Sequence, residues 1–239
     1  MKPPIQFIGA GGAHDVHLGN SAALLQWNGK NILIDCGFTV YPSLVRHQLV
    51  EDIDAICITH LHDDHIGSLS ALLYHRHFIS KLPPVPVIAG IPELYSKLYT
   101  YLHFLMGEVE RFAQVLLPKG YASYIEAIST TRLHSPHMPS CAYLFTSSEM
   151  NLIYSGDIGE PLPMLRDSEW LEAHPSLYVF HDVAFHPTPS HCYYQSLHSF
   201  LGKVKLWGYH CDPREAPSDN QIPLVHNELM LERYERGAR

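Results

Sequence analysis

No stretch of this sequence approaches the roughly 18 to 20 consecutive apolar residues that a bilayer-spanning helix needs, so no membrane association is expected. The opening Met1-Lys-Pro-Pro-Ile-Gln-Phe7 has no apolar leader core and runs straight into a strand-like pattern, which points to a cytoplasmic protein. Cysteine is scarce and shows no pairing logic. Cys36, Cys57, Cys141, Cys192 and Cys211 are odd in number and contain no Cys-x-x-Cys, so a disulfide framework is not expected. Positive charge is short as well: 16 basic side chains face 24 acidic ones, for a formal net charge of −8. That balance disfavours a broad basic face, and no stable nucleic-acid partner is expected. Repeats, low-complexity tracts and charge blocks are missing, and the loosest stretch, residues 213–223, is too short for an interdomain linker. With 46% hydrophobic residues, the 239-residue chain can bury a sizeable core, and one domain over residues 1–239 is expected.

What the chain has in excess is histidine, 18 residues of 239. Neutral imidazole is the commonest protein ligand for transition metals. A histidine-rich but ordinary surface is the competing reading, so position has to decide. Strand-like runs over residues 6–9, 22–27, 31–37, 53–59, 84–89, 125–133, 142–146, 152–155, 177–183 and 205–209 alternate with helical patterns. Those patterns cover residues 43–50, 66–78, 92–117, 193–201 and 225–236, and the alternation predicts an α/β domain. Gly9-Ala-Gly-Gly-Ala-His14 begins like a dinucleotide fingerprint, but histidine stands where the third glycine is needed and no helix follows. It reads as a glycine turn, with His14 and His17 facing water. The aromatic 92–117 segment reads as core, lying beside a cleft.

Thr59-His60-Leu61-His62-Asp63-Asp64-His65 is the strongest signal. It begins where an apolar strand ends, so its side chains gather at a strand's carboxyl edge. His60 and His62 are two apart and can converge from one side of a tight turn. Asp64 and His65 project differently and suit a second ion, and paired ions about 3.5–4 Å apart are a recurring hydrolytic device. A solvated polar loop is the bland alternative, and it explains poorly why three histidines and two aspartates crowd six residues behind a buried strand.

His-x-His-x-Asp-His after a strand resembles the metallo-β-lactamase superfamily, whose fold is a four-layer αβ/βα sandwich. The resemblance implies further ligands in order along the chain. They fall on His137 in His137-Met-Pro-Ser-Cys-Ala-Tyr143, Asp157 in Ile153-Tyr-Ser-Gly-Asp-Ile158, and His210 in Leu206-Trp-Gly-Tyr-His210. Ile34-Asp35-Cys36-Gly37 is similar to the family's early Ile-Asp-x-Gly, which implies that Asp35 steadies a metal-ligating histidine. By this resemblance two divalent ions, zinc or manganese, are expected. His60, His62 and His137 would hold one, Asp64, His65 and His210 the other, and Asp157 would bridge them. His134 competes with His137, and Pro139-Ser140 and Tyr143 favour His137 by the family's spacing.

Val179-Phe-His-Asp-Val-Ala-Phe185 resembles a segment of the ribonuclease Z-like phosphodiesterases, with Asp182 where that branch carries glutamate. The resemblance implies that His191, held by Asp182, protonates the leaving oxygen, while Asp64 or Asp157 orients the attacking hydroxide between the ions. A surface histidine is the competing reading for His191, since His181, His186 and His198 crowd the same region. The tRNA-gripping arm of ribonuclease Z would lie between His137 and Asp157, where only a strand hairpin fits. A small phosphodiester is therefore the expected substrate. The chain is similar to the compact anti-Pycsar group, which implies hydrolysis of cyclic mononucleotides to nucleoside 5′-monophosphates, a homodimer, and a host-cytoplasm setting if phage-encoded. The alternatives are a lactonase- or thioesterase-type metallo-hydrolase, a phosphodiesterase acting on short RNA, and a metal-binding interaction module.

Overall fold

A computed structural model describes residues 3–231. The first six strands form one sheet in sequential order: β1 (Ile5–Gly9), β2 (Ala22–Trp27), β3 (Lys30–Ile34), β4 (Ala55–Ile58), β5 (Val85–Ala89) and β6 (Ala113–Leu116). β1 to β3 pair antiparallel, and β3 to β6 run parallel. The second sheet has the order β11-β10-β9-β8-β7. Its strands are β7 (Ile125–Ser129), β8 (Cys141–Thr146), β9 (Asn151–Tyr154), β10 (Leu177–Asp182) and β11 (Lys205–Tyr209). β7 to β9 are antiparallel, and β9 to β11 parallel.

The period-2 alternation of strand side chains explains why both faces of the second sheet are apolar. Tyr143, Phe145, Leu152, Tyr154, Tyr178 and Phe180 point into the core shared with the first sheet, where Phe7, Leu25 and Leu33 meet them. Their neighbours Ala142, Leu144, Ile153, Val179 and Leu206 point the other way, into a second core capped by Leu162, Leu165, Leu197 and Phe200. The result is the layered αβ/βα sandwich. All five cysteines are free and buried.

Several helical expectations change in detail. α1 spans Val40–His47, and the expected 66–78 helix splits into α2 (Asp63–Ile66), α3 (Leu69–Tyr74) and a wide π turn over His75–Ile79. The 92–117 pattern is helical only as α4 (Pro92–Met106), whose Leu94, Leu98 and Leu102 are buried at i, i+4 and i+8. Gly107, at a φ of 72°, ends it. Ala113 and Val115 then pair with Val85 and Val87 as β6, a strand hidden by the aromatic run before it. Residues 194–200 form a 3-10 run in place of an α-helix. The expected 225–236 helix is a short 3-10 turn over Val225–Asn227, after which the chain lies along β1, the Leu231 amide donating to the Phe7 carbonyl. Its residues 232–236 lie outside the described residues. α5 (Pro118–Tyr121) and α6 (Ser168–Ala173) had no periodic signal, and α6 starts where Asp167 caps the Glu169 and Trp170 amides. No helix among the described residues is long and apolar enough to cross a membrane.

One close approach positions everything that follows. α2 lies against the loop after β3, with the Cys36 amide donating to the His65 carbonyl and the Ser68 amide to the Cys36 carbonyl. A Cβ on Gly37 would sit inside the van der Waals shell of the Asp64 carbonyl. Because backbone, not a movable side chain, is in the way, Gly37→Ala is expected to cost about 3 kcal/mol, the upper end for overpacking. Denaturant unfolding checks this, and a shift in midpoint corresponding to less than about 0.5 kcal/mol would contradict it.

Candidate metal centre

The carboxyl ends of β4, β9, β10 and β11 converge, and the loops leaving them carry the polar side chains of a cavity of about 1010 Å³. Its floor includes His62, Asp64, His134, Asp157, His191 and His210.

Three imidazoles form the first group. The Nδ1 of His62 lies 2.9 Å from His60 Nε2 and 3.0 Å from His134 Nε2. The outer nitrogens of the other two rings are occupied, His60 Nδ1 by the Thr59 hydroxyl at 3.1 Å and His134 Nδ1 by the Ser190 carbonyl at 2.7 Å. A carbonyl only accepts, so His134 keeps its proton on Nδ1 and turns a lone pair inward. Burial, with the neighbouring His65, holds the His60 pKa well below the ordinary histidine value, and burial with His134 lowers that of His62. Neutral rings are the ligating form.

Asp64, His65, Asp157 and His210 form the second group. Asp35, itself held by the Thr59 amide and hydroxyl at 2.8 Å each, accepts the Nδ1 proton of His65 at 2.8 Å. The expected role of Asp35 thus falls on His65. His65 Nε2 and Asp157 Oδ1 are then both buried without a hydrogen-bond partner, 3.3 Å apart. Burial would lower the His65 pKa, but the charges of Asp157 and Asp35 outweigh it and hold it well above the ordinary histidine value, and a cation shared with Asp157 would take the place of the Nε2 proton. Burial alone would raise the Asp157 carboxyl, but His210 and His65 outweigh it and hold its pKa well below the usual range, so it stays ionised. Its Oδ2 lies 3.4 Å from His210 Nε2, 3.8 Å from His134 Nε2 and 3.9 Å from His60 Nε2, between the two groups. The donor set fits divalent metal at both.

His137, expected as the third ligand of the first ion, is not in either group. Its side chain is exposed, and its carbonyl accepts from Lys97 Nζ at 3.2 Å, tying α4 to the loop. His134 stands in its place. The cause is a turn: the Leu133 amide donates to the Thr130 carbonyl and the Gly159 amide to the Leu133 carbonyl, which carries residue 134 inward and leaves 137 on the outside. A histidine just behind the strand Ile125–Ser129 was the available sequence signal.

Beside the second group, His191 Nδ1 lies 2.9 Å from Asp182 Oδ2, which also accepts the Ile158 amide at 3.0 Å. Burial would lower the His191 pKa, and the Asp182 hydrogen bond and charge overcome it, so it stands above the ordinary value. The other Asp182 oxygen is 3.7 Å from His210 Nδ1. Sequence reasoning missed how Asp182 is held. The buried Ser155 hydroxyl accepts the Asp182 amide at 2.9 Å and sits 3.2 Å from the Tyr209 hydroxyl, which donates to the Gly156 carbonyl at 3.0 Å. The ends of three strands are therefore tied together beneath Asp157, Asp182 and His210.

The model of the family described as anti-Pycsar protein Apyc1 matches residues 3–226. The chain belongs to this family. Among its members, the protein of Paenibacillus harenae is 30% identical over 168 residues, 64% of this chain and 67% of its own. That of Paenibacillus sp. (strain J14) is 42% identical over 92 residues, so the matched stretch spans only 37% of either chain. A ribonuclease Z of Clostridium beijerinckii is 36% identical over 92 residues, 37% of this chain and 30% of its own. Among solved structures, the short form of human tRNase Z superposes with a TM-score of 0.67 at 19% identity, covering 89% of this chain and 94% of that one. The metallo-β-lactamase-fold protein YhfI of Bacillus subtilis superposes at 0.66 with 15% identity, covering 87% and 85%. These likenesses show the fold, shared with tRNase Z and metallo-β-lactamase-fold proteins.

Proposed function

We propose that this protein is a metal-dependent phosphodiesterase that opens small cyclic mononucleotides, such as cCMP, cUMP, cAMP and cGMP, to nucleoside 5′-monophosphates. The observation that carries the reading is the position of Asp157 between two donor groups, with the His191–Asp182 pair beside it. His60, His62 and His134 would hold one ion, Asp64, His65 and His210 a second, and Asp157 would serve both, with zinc or manganese the fitting metals. Divalent ions held there supply Lewis acidity toward the phosphate oxygens and a lowered pKa for water.

The chain's own residues do the rest. Asp64, lining the cavity, is held ionised against burial by its hydrogen bonds to His210 and His65. It would orient the attacking hydroxide, whose proton has gone to bulk solvent, as the oxygen–phosphorus bond forms. His191 faces the same cavity, and protonates the ribose 3′ oxygen as the bond from phosphorus to that oxygen breaks. Asp182 fixes the ring for that transfer. The cavity suits a small substrate better than RNA, because β8 and β9 are joined by only residues 147–150, with no arm between them. Asp63, Asp212 and Glu215 along the cavity would repel a long polyanion.

A homodimer acting in the cytoplasm completes the reading. Phe78, Ile79, Phe104 and Leu105 support self-association: all are exposed, and the Tyr74 hydroxyl joins the two segments by donating to the Leu105 carbonyl. Light scattering checks it, and a monomeric mass at micromolar protein would contradict it.

Metal-loaded protein incubated with the four cyclic nucleotides should yield 5′-monophosphates by chromatography, with Asp64→Ala inactive. No turnover of any of them, with hydrolysis of a lactone or thioester instead, would overturn the proposal.

A further inference from the structure

Arg132 is the one lysine or arginine lining the cavity among the described residues. Resting on the phosphodiesterase reading, we propose that Arg132 reads the nucleobase, its guanidinium donating to the acceptor edge of the base while the phosphate reacts at the floor below.

Three observations converge on this residue. Its guanidinium has no ion pair or hydrogen bond within the described residues, whereas Arg214, near the same rim, is neutralised by Asp212, with Nε 2.9 Å from both carboxylate oxygens. An unpaired guanidinium at a cavity wall that also carries Asp63, Asp212 and Glu215 keeps five donors free for a ligand. Second, Arg132 has a φ of 74°, a left-handed conformation in which a side chain bearing a Cβ is strained.

Third, the turn that imposes this conformation is over-determined. The Thr130 hydroxyl donates to the Ser140 hydroxyl at 2.9 Å, and the Ser140 amide to the Thr131 hydroxyl at 3.3 Å. Two residues further on, His134 is anchored to Ser190. Arg132 is therefore presented by a rigid turn that shares its fixing points with the metal group.

Depth assigns the base as its target. His60 and His65 are fully buried and Asp157 is 2% exposed, so the reacting phosphorus belongs at the floor, above the metal groups. Arg132 is exposed at the mouth, level with the part of a nucleotide that points outward. The carbonyl oxygens and ring nitrogens of a base are acceptors matched to a planar fork. Loss of one charge-assisted hydrogen bond corresponds to about 10- to 100-fold in binding.

Arg132→Ala is therefore expected to raise KM for cyclic nucleotides about 10- to 100-fold, with kcat and metal content unchanged. Arg132→Lys should recover only part of the loss, because an ammonium lacks the fork. Arg132→Gly guards against a folding artefact: glycine suits the backbone at a φ of 74°, so this variant should be at least as stable as the parent and show the same raised KM as Arg132→Ala. Bis-p-nitrophenyl phosphate, a diester without a base, is the discriminating substrate, and its turnover should stay within about twofold in all three variants. An equal loss on this substrate would make Arg132 a phosphate contact and overturn the proposal, as would an unchanged KM for every nucleotide. If the parent protein turns over the base-free diester but no cyclic nucleotide, the functional reading fails first and takes this inference with it.

Discussion

His134→Ala is expected to lower kcat/KM on the preferred cyclic nucleotide by about a thousand-fold or more, while His137→Ala stays within about twofold. The two residues are three apart in one loop, yet they differ in everything that matters to a metal. His134 donates an Nδ1 hydrogen bond to the Ser190 carbonyl and turns its Nε2 toward His62 and Asp157. His137 is exposed and engages its neighbours through its backbone carbonyl, which alanine retains. Removing the first would leave the His60–His62 pair one donor short, and an ion that could no longer be held there would not supply its several kcal/mol of charge stabilisation. Removing the second is a surface change. Metal analysis of the purified variants gives a readout independent of turnover: His134→Ala should bind about one equivalent less than the parent, and His137→Ala the same amount. Full metal content and activity in His134→Ala, with loss in His137→Ala, would reverse the assignment.

That pair also marks where sequence reading reaches its limit. His60, His62, Asp64 and His65 are legible because they sit within six residues behind an apolar strand, so local chain geometry forces them together. Asp157 and His210 are legible only through the resemblance, which places a ligand shortly after a strand in each case, three residues beyond β9 and one beyond β11. His134 follows no such rule. Its position depends on hydrogen bonds from Thr130, Leu133 and Gly159 and from Ser190, residues spread over 60 positions that come together only in the folded sheet pair. The same holds for Ser155 and Tyr209, whose hydroxyls look like ordinary core-strand side chains until β9, β10 and β11 are side by side. Secondary structure failed for a related reason. The 92–117 run is aromatic throughout, and nothing in its periodicity separates the buried Leu94, Leu98 and Leu102 of a helix from the alternating residues of β6. The edge of the β5 strand decides that pairing, and an edge is a tertiary object.

His191→Ala should lower kcat on cyclic nucleotides by about a hundred- to ten-thousand-fold, the range for a positioned general acid, with metal content intact. The dependence on leaving group is the sharper test. A ribose alkoxide leaves poorly without a proton, whereas p-nitrophenolate leaves readily without one, so the same variant should hydrolyse bis-p-nitrophenyl phosphate nearly as well as the parent. A residue that merely supported the fold would depress both substrates alike. Asp182→Asn should behave differently from His191→Ala because Asp182 faces two histidines. Its Oδ2 accepts from His191 at 2.9 Å, and its Oδ1 stands 3.7 Å from His210 Nδ1. An amide removes the charge that favours imidazolium at His191 and also loosens the orientation of His210, a change of the kind that costs about 10- to 100-fold in metal affinity or activity. Loss of turnover on both diesters together with weakened metal binding is therefore expected for Asp182→Asn, against loss on the nucleotide alone for His191→Ala. If the two variants showed the same profile, the carboxylate would be serving one histidine only, and the shared role of Asp182 in acid and metal group would fall.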